Sequence, residues 1–235
     1  MKKLLRSAFR SIGYDVTQSR PSRRDFLKSR SIDTIIDVGA NDGKFAQEVR
    51  DRGYTGSIVS FEPIRDVYGR LADRFANDRR WKGYNLGVSN KSGEAVIGVS
   101  AASVFSSLHK LRAAAGRFEE RSNVVRYETI KLTTLDDCSD KIEGNRLFLK
   151  LDTQGHEQAC LEGLGKLKNR IEGIQMELPL SALYENVWSF HEAVAYMKQL
   201  AFVPCIFSPV SYHKCDPLAM VEVDCTFRRY NSDYD

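Results

Sequence analysis

The sequence predicts an α/β fold, one sheet of seven mostly parallel strands with helices in the connections and an antiparallel pair at the sheet edge. Three observations predict it. Short apolar runs bounded by turn residues recur along the 235 residues. Between them, apolar residues return every three or four positions, which is helical spacing. Glycines and carboxylates gather where the runs end, where open parallel sheets hold their ligands. The length suits a single sizeable core, so one domain is expected over 31–235, with an insertion at about 89–133.

The first 30 residues form a basic leader, in which Lys2, Lys3, Arg6, Arg10, Arg20, Arg23, Arg24, Lys28 and Arg30 face only Asp15 and Asp25. In MKKLLRSAFRSIGY, the residues Leu4, Leu5, Ala8, Phe9 and Ile12 share one helical face. Two expectations follow: a solvated helix and linker that packs back over the core, or peripheral contact with an anionic membrane surface or a phosphate-bearing substrate. The apolar runs here are only two residues long, so no signal-peptide core is present.

Strands are expected at Thr34–Val38, Ser57–Phe61, Lys82–Val88, Leu147–Leu151, Gly173–Glu177, Phe202–Phe207 and Val221–Arg228. Helices are expected at Lys44–Arg52, Asp66–Phe75, Glu157–Asn169 and Val187–Leu200, each with inward residues three or four apart, such as Cys160, Leu161, Leu164 and Leu167. From Ser89 to Thr133 the rhythm breaks. Glu94–Val99 alternates like a strand that can pair with Tyr127–Leu132, and SVFSSLHK and RAAAGRFEERSN lie between them. An insertion of this size suits a lid or a substrate-shaping flap. The last two strands have no strong helix between them and are expected to pair antiparallel.

Composition narrows the function classes. Hydrophobic residues make up 42% and charged residues 28%, with no apolar run long enough for a membrane span, so a soluble globular protein is expected. The five cysteines are odd in number, scattered and without a Cys-x-x-Cys pair, which argues against a disulfide framework and for a reducing cytoplasm. Cys205, Cys215 and Cys225 around His213 fit no zinc spacing. The pI near 8.7 raises the question of nucleic acid. The basic residues gather in the leader rather than interleaving with aromatics, so no nucleic-acid partner is expected.

The stretch IIDVGANDGKFAQEVRDRGYTGSIVSFEP, Ile35 to Pro63, carries the chemistry. Gly39 and Gly43 allow a tight turn and a close ligand, and Asn41 and Asp42 suit the turn and the helix start. Asp37 would repel a pyrophosphate but welcome a cationic amine or sulfonium. The Gly-x-Gly-x-x-Gly pattern of dinucleotide sites is missing. Glu62, closing the next strand, is in position to accept both hydroxyls of a ribose. A nucleoside with a cationic end satisfies both carboxylates, and S-adenosylmethionine is such a ligand.

A second stretch, LFLKLDTQGHEQACLEGL, Leu147 to Leu164, places Lys150 inside an apolar strand and delivers Asp152 to its end, followed by Thr153, Gln154, Gly155, His156 and Glu157. A lysine in a central strand needs a carboxylate partner or a shifted pKa. Glu177 marks the equivalent exit of the next strand. Together with Asp152 it could hold Mg²⁺ through oxygen ligands.

The order DVGANDG, SFEP, NLGVSNKSGEAVI, TTLDD, LFLKLDTQGHEQACLEG and QMELPLSALYE resembles the FkbM family of S-adenosylmethionine-dependent methyltransferases, from Ile35 to Glu185. The resemblance implies a class I, Rossmann-like methyltransferase sheet with the last strand antiparallel and helices on both faces. It also implies O-methylation of a hydroxyl, on a sugar, glycan or glycolipid or on a natural product. By the same resemblance, Asp37, Gly39, Ala40, Asn41, Gly43, Glu62 and Pro63 hold the cofactor, with Gly87 and Val88 near the adenine. Lys150, Asp152, His156 and Glu157 form the catalytic group, with Asp152 in the reaction centre and His156 as a candidate base. Other acceptors, including an amine, and a noncatalytic nucleoside-binding module are the alternatives.

Overall fold

A computed structural model describes residues 20–100, 106–108, 123–181 and 187–233. The apolar face expected at Leu4, Leu5, Ala8, Phe9 and Ile12, most of the insertion between 101 and 122, and the end of the QMELPLSALYE motif lie outside them.

The elements follow the expected alternation. Helix α1 (Arg23–Ser29) precedes β1 (Thr34–Val38), α2 (Lys44–Asp51), β2 (Ser57–Phe61), α3 (Arg65–Arg74) and β3 (Trp81–Tyr84). Three short or inserted strands come next: β4 (Gly87–Val88), β5 (Gly93–Ser100) and β6 (Val124–Thr133). The chain continues with β7 (Leu147–Leu151), α4 (Glu157–Glu162), β8 (Ile171–Pro179), α5 (Phe190–Gln199), β9 (Phe202–His213) and β10 (Asp216–Arg229).

The main sheet has seven strands in the order β3-β2-β1-β7-β8-β10-β9. The neighbours from β3 through to β8 pair in parallel, whereas β10 runs antiparallel to both β8 and β9. The order reverses at β1, so the crevice above its carboxyl end is the topological switch point of the sheet. Both faces are covered, which is why β1 and β7 are buried at every position and read as continuous apolar runs. On one face Ile36, Val38, Leu149, Leu151, Ile174 and Met176 pack with Leu161, Leu164 and Met197. On the other, Ile35, Ile58 and Phe148 pack with Phe26, Val49, Leu71 and Phe75.

The C-terminal part of the leader packs on the core: Ser22 and Asp25 form a capping box, Phe26 and Leu27 are buried, and Phe26 meets Phe148 edge-on at 5.6 Å. Three local features differ from the sequence reading. Lys82–Val88 is two strands, not one, because Asn85 leaves the sheet and donates from Nδ2 to the carbonyls of Glu62 and Pro63 at 2.9 and 2.8 Å. The helix expected over Glu157–Asn169 ends at Glu162 and resumes as a 3-10 turn, Gly165–Arg170. Gly165 there adopts φ +48, against Asp136, which continuous α-helix does not allow. Helix α5 begins at Phe190 rather than Val187, because Ser189 and Glu192 form the capping box that starts it.

The insertion strands form a separate three-stranded sheet, β4-β6-β5, with Glu94 opposite Lys131 and Val99 opposite Arg126. Ile97, Val99 and Ile130 pack on Ile64 and Val67, which seats this small sheet beside the crevice. Among the described residues, no helix is long and apolar enough to cross a membrane.

Candidate active site

The switch point is built around a buried lysine. Lys150 and Asp37 are cross-strand partners on β7 and β1. Lys150 Nζ lies 3.0 Å from Asp37 Oδ1 and 3.5 Å from Asp152 Oδ2, and it donates to the Gly39 carbonyl at 2.9 Å. Burial alone would lower the lysine pKa. The Asp37 and Asp152 carboxylates outweigh it, so the pKa lies above the ordinary lysine value and the ammonium persists. Phe45 is in cation–π range of both Lys150, at 5.5 Å, and Arg23, at 4.7 Å.

Above this pair the chain turns sharply. Gly39 takes φ +70, and a Cβ there would collide with the carbonyl oxygen of Asp152. Asn41 also takes positive φ, which asparagine tolerates better than most residues. The Gly39 and Ala40 amides donate to the Phe61 carbonyl, and the Asn41 amide donates to Glu62 Oε2 at 2.9 Å. Glu62 Oε1 accepts from the Ile64 amide at 2.9 Å. Burial pushes the Glu62 carboxyl up to about 7, against the opposing pull of those two amides and Lys150.

A cavity of about 420 Å³ opens over the turn, within the range of small-molecule sites. Gly39, Ala40, Asn41, Glu62 and Pro63 line one part, and Gly87, Val88, Ile97, Ile130 and Leu132 form an apolar wall. Lys150, Asp152, His156 and Glu177 also reach it. Asp152 is the accessible carboxylate of the buried cluster, with its side chain 39% exposed.

Three expected site residues do not line the cavity. Asp37 is fully buried and faces Lys150, so it supports the turn from below instead of meeting a ligand's cation. Gly43 starts α2 at φ +83, and a Cβ there would meet Phe75 and Leu71 at 2.6 and 2.7 Å, so its requirement is packing. Glu157 is buried and accepts from Thr153 N at 2.8 Å, Thr153 Oγ1 at 2.9 Å and Gly155 N at 3.1 Å. It ties the Asp152–His156 loop together. His156 does reach the cavity, with Nε2 3.0 Å from Ser89 Oγ, next to Val88 on the apolar side.

The Mg²⁺ expectation for Asp152 and Glu177 has no support. Gln154 Nε2, a donor, stands between them, 3.0 Å from Asp152 Oδ1 and 3.5 Å from Glu177 Oε1. Among the described residues no group of three or more His, Cys, Asp or Glu side chains is placed to hold a metal ion.

Sequence reasoning missed the contribution of the final hairpin. Val210, Ser211 and Glu222 line the same cavity, and Ser211 Oγ donates to Glu222 at 2.8 Å. No local motif marks them; only the pairing of β10 with β8, which sets Asp224 opposite Glu177 and Glu222 opposite Pro179, brings them in.

Residues 37–204 match the model of the methyltransferase FkbM domain, well over half of the chain. The chain belongs to the FkbM methyltransferase family. Membership brings methyl transfer from S-adenosylmethionine as the activity class. The FkbM methyltransferase of Methylobacillus flagellatus KT has the same fold, with a TM-score of 0.52 at 13% identity over 83% of this chain. This chain spans 43% of that one. An rRNA methylase from Streptococcus thermophilus aligns over 92% of this chain and 100% of its own, at 9% identity and a TM-score of 0.49. The magnesium protoporphyrin IX methyltransferase of Synechocystis PCC 6803, with bound SAM, aligns over 97% and 96%, at 8% and 0.46. No curated protein matches the sequence.

The FkbM site suits S-adenosylmethionine on the chemistry of its lining. A buried carboxylate at the end of β2, an apolar wall and an accessible carboxylate at the end of β7 match a ribose, an adenine and a cationic methionyl end.

Proposed function

We propose that the chain is an O-methyltransferase whose acceptor is a hydroxyl of a sugar, glycan or glycolipid. The observation that carries this reading is the acceptor-rich end of the cavity. Asp152, Glu177, Ser211 and Glu222 all line it, and their oxygens can accept from the hydroxyls of a polyhydroxyl compound.

In this reading Glu62 accepts the ribose hydroxyls, and Gly87, Val88, Ile97, Ile130 and Leu132 flank the adenine. Gly39, Ala40 and Asn41 lie along the methionyl part. When bound, S-adenosylmethionine supplies an electrophilic methyl group on its sulfonium. The work of the chain's own residues is positional and acid–base. Asp152 accepts a hydrogen bond from the acceptor hydroxyl and takes its proton. Lys150 and the Gln154 amide fix that carboxylate from two sides, 3.5 and 3.0 Å away. The insertion sheet lends the cavity Ile97, Ile130 and Leu132, and the final hairpin lends it Val210, Ser211 and Glu222, so the two elements together position the acceptor over the turn. His156, held by Ser89 on the apolar side, is assigned to the cofactor rather than to proton removal.

The test is methyl transfer from isotopically labelled S-adenosylmethionine to a panel of polysaccharides, glycolipids and simple amines, with products located by mass spectrometry. Labelled O-methyl sugar from wild type and none from Asp152→Asn is the expected result. Label found only on an amine, or undiminished sugar labelling by the variant, would sink the reading.

A further inference from the structure

Gln154 is the odd residue of the loop between β7 and α4. Its backbone takes φ +54, a left-handed conformation that glycine and asparagine adopt readily and glutamine rarely does. Gly155 follows at φ +101, so the loop turns through two positive-φ residues. The side chain that leaves this turn holds the reaction centre: Gln154 Nε2 donates to Asp152 Oδ1 at 3.0 Å and lies 3.5 Å from Glu177 Oε1. Backbone strain of this kind persists where the surroundings over-determine it, and the surroundings here come from two directions. From below, Glu157 accepts from the amides of Thr153 and Gly155, the residues on either side of Gln154.

Gln154 itself is held by the insertion. Its carbonyl accepts a hydrogen bond from Ser107 Oγ at 2.7 Å, across 47 residues of sequence. Ser107 is buried and has an anchor of its own, because its amide and carbonyl both pair with Gly98 of β5, at 3.2 Å each, as an antiparallel bridge. The neighbours of Gly98 in the strand, Ile97 and Val99, are buried with Ile64 and Val67, and Leu108 packs against the same cluster. Ser106 Oγ accepts from the Ser100 amide at 3.1 Å. The hydroxyl is thus presented from a seated point of the small sheet. Ser106 and Leu108 line the cavity, whereas Ser107 does not, so any action of Ser107 on the reaction passes through Gln154.

We propose that Ser107 is a positioning residue for methyl transfer: its hydroxyl holds Gln154 in the conformation from which the side-chain amide reaches Asp152. The insertion then does more than line the cavity, since it also sets the orientation of a carboxylate carried at the end of β7. This assignment rests on the reading of Asp152 as the residue that takes the acceptor's proton.

The contact is read first and turnover second. In the ¹⁵N-labelled full chain, the side-chain amide signal of Gln154 is assigned with Gln154→Met, and Asp152→Ala gives its position without the carboxylate. Ser107→Ala should bring that signal to the Asp152→Ala position, while the indole of Trp81, bonded to Ser60 Oγ at 3.0 Å, stays where it is. A Gln154 signal that Ser107→Ala leaves in place overturns the proposal. Turnover is then measured with the acceptor that takes up label in the panel above. For Ser107→Ala, kcat should fall about 10–100-fold, with S-adenosylhomocysteine affinity and acceptor KM changed by less than about twofold. In the Gln154→Met background the same substitution should change kcat by less than about twofold, because the amide through which it acts is gone. An equal loss in both backgrounds would leave Ser107 a structural residue only. If the Gln154 signal moves as expected but Asp152→Ala keeps its kcat, the tether stands and the reading of Asp152 as the base falls.

Discussion

Lys150 and Asp37 face each other in register on adjacent parallel strands, with Nζ 3.0 Å from Oδ1 and both side chains buried. This pair sits under the Gly39 turn and fixes it, because the same ammonium also binds the Gly39 carbonyl. Removing one partner leaves the other as an uncompensated buried charge. Lys150→Met should therefore destabilise the protein by about 3–5 kcal/mol. Adding Asp37→Asn should recover part of the loss without restoring cofactor affinity. Urea unfolding of the single and double variants measures both, and a single-variant cost below about 1 kcal/mol would refute the pairing argument.

Cofactor binding should depend on pH through Glu62. Burial raises this carboxyl to about 7 from an ordinary value of 4.5, and the ionised form is the one that accepts two hydroxyls. Affinity for S-adenosylmethionine should rise from pH 6 to pH 8 and flatten above. The stability of the free protein should move the other way. The folded state holds the Glu62 proton more tightly than the unfolded state, so this contribution is complete below about 4.5 and lost as pH climbs through about 7. Calorimetry at a series of pH values, with Glu62→Gln as the variant that should bind more weakly and with less pH dependence, checks the first part. Denaturant midpoints at the same pH values check the second.

Two glycines with similar backbone angles should respond differently to alanine. Gly39 has φ +70 and Gly53 has φ +87, so both substitutions introduce left-handed strain of about 1–2 kcal/mol. A Cβ at Gly53 meets nothing within 4 Å, whereas one at Gly39 runs into the Asp152 carbonyl. Gly39→Ala should lower the melting temperature clearly more than Gly53→Ala and should also weaken cofactor binding, which Gly53→Ala should leave intact. Equal melting shifts for the two would remove the close-approach argument.

Asp152 and Glu157 lie in one motif but should fail in different ways. Asp152→Asn keeps the shape and the Gln154 contact but cannot take a proton, so kcat should fall about 10²–10⁴-fold with cofactor affinity nearly unchanged. Glu157→Gln replaces a carboxylate that collects three donors from Thr153 and Gly155, so it should cost about 1–3 kcal/mol of stability. Steady-state kinetics beside thermal melts separate the two. A stable Glu157→Gln protein with a kcat loss as large as that of Asp152→Asn would return Glu157 to the chemistry.

Much of this molecule is determined by local sequence. Apolar runs of strand length, helical spacing between them and glycines after the first strand are short-range signals, and β1, β2 and β7 match the expected bounds residue for residue. The oddity of Lys150 was also legible, because a charge inside an apolar strand demands a partner wherever the strand lies. Its partner was not, since Asp37 is 113 residues away and meets it only through the β1–β7 register. The same long-range pairing decided which carboxylates face the cavity. Asp37 and Glu157 look like ligands in sequence, yet the sheet buries one and the following loop saturates the other. Ser211 and Glu222 carry no motif at all, and the antiparallel return of β10 brings them to the site. Local patterns specify elements because backbone hydrogen bonding and side-chain periodicity act over a few residues. Which charged groups end up solvated, paired or exposed to a ligand depends on burial, and burial exists only once distant strands have come together.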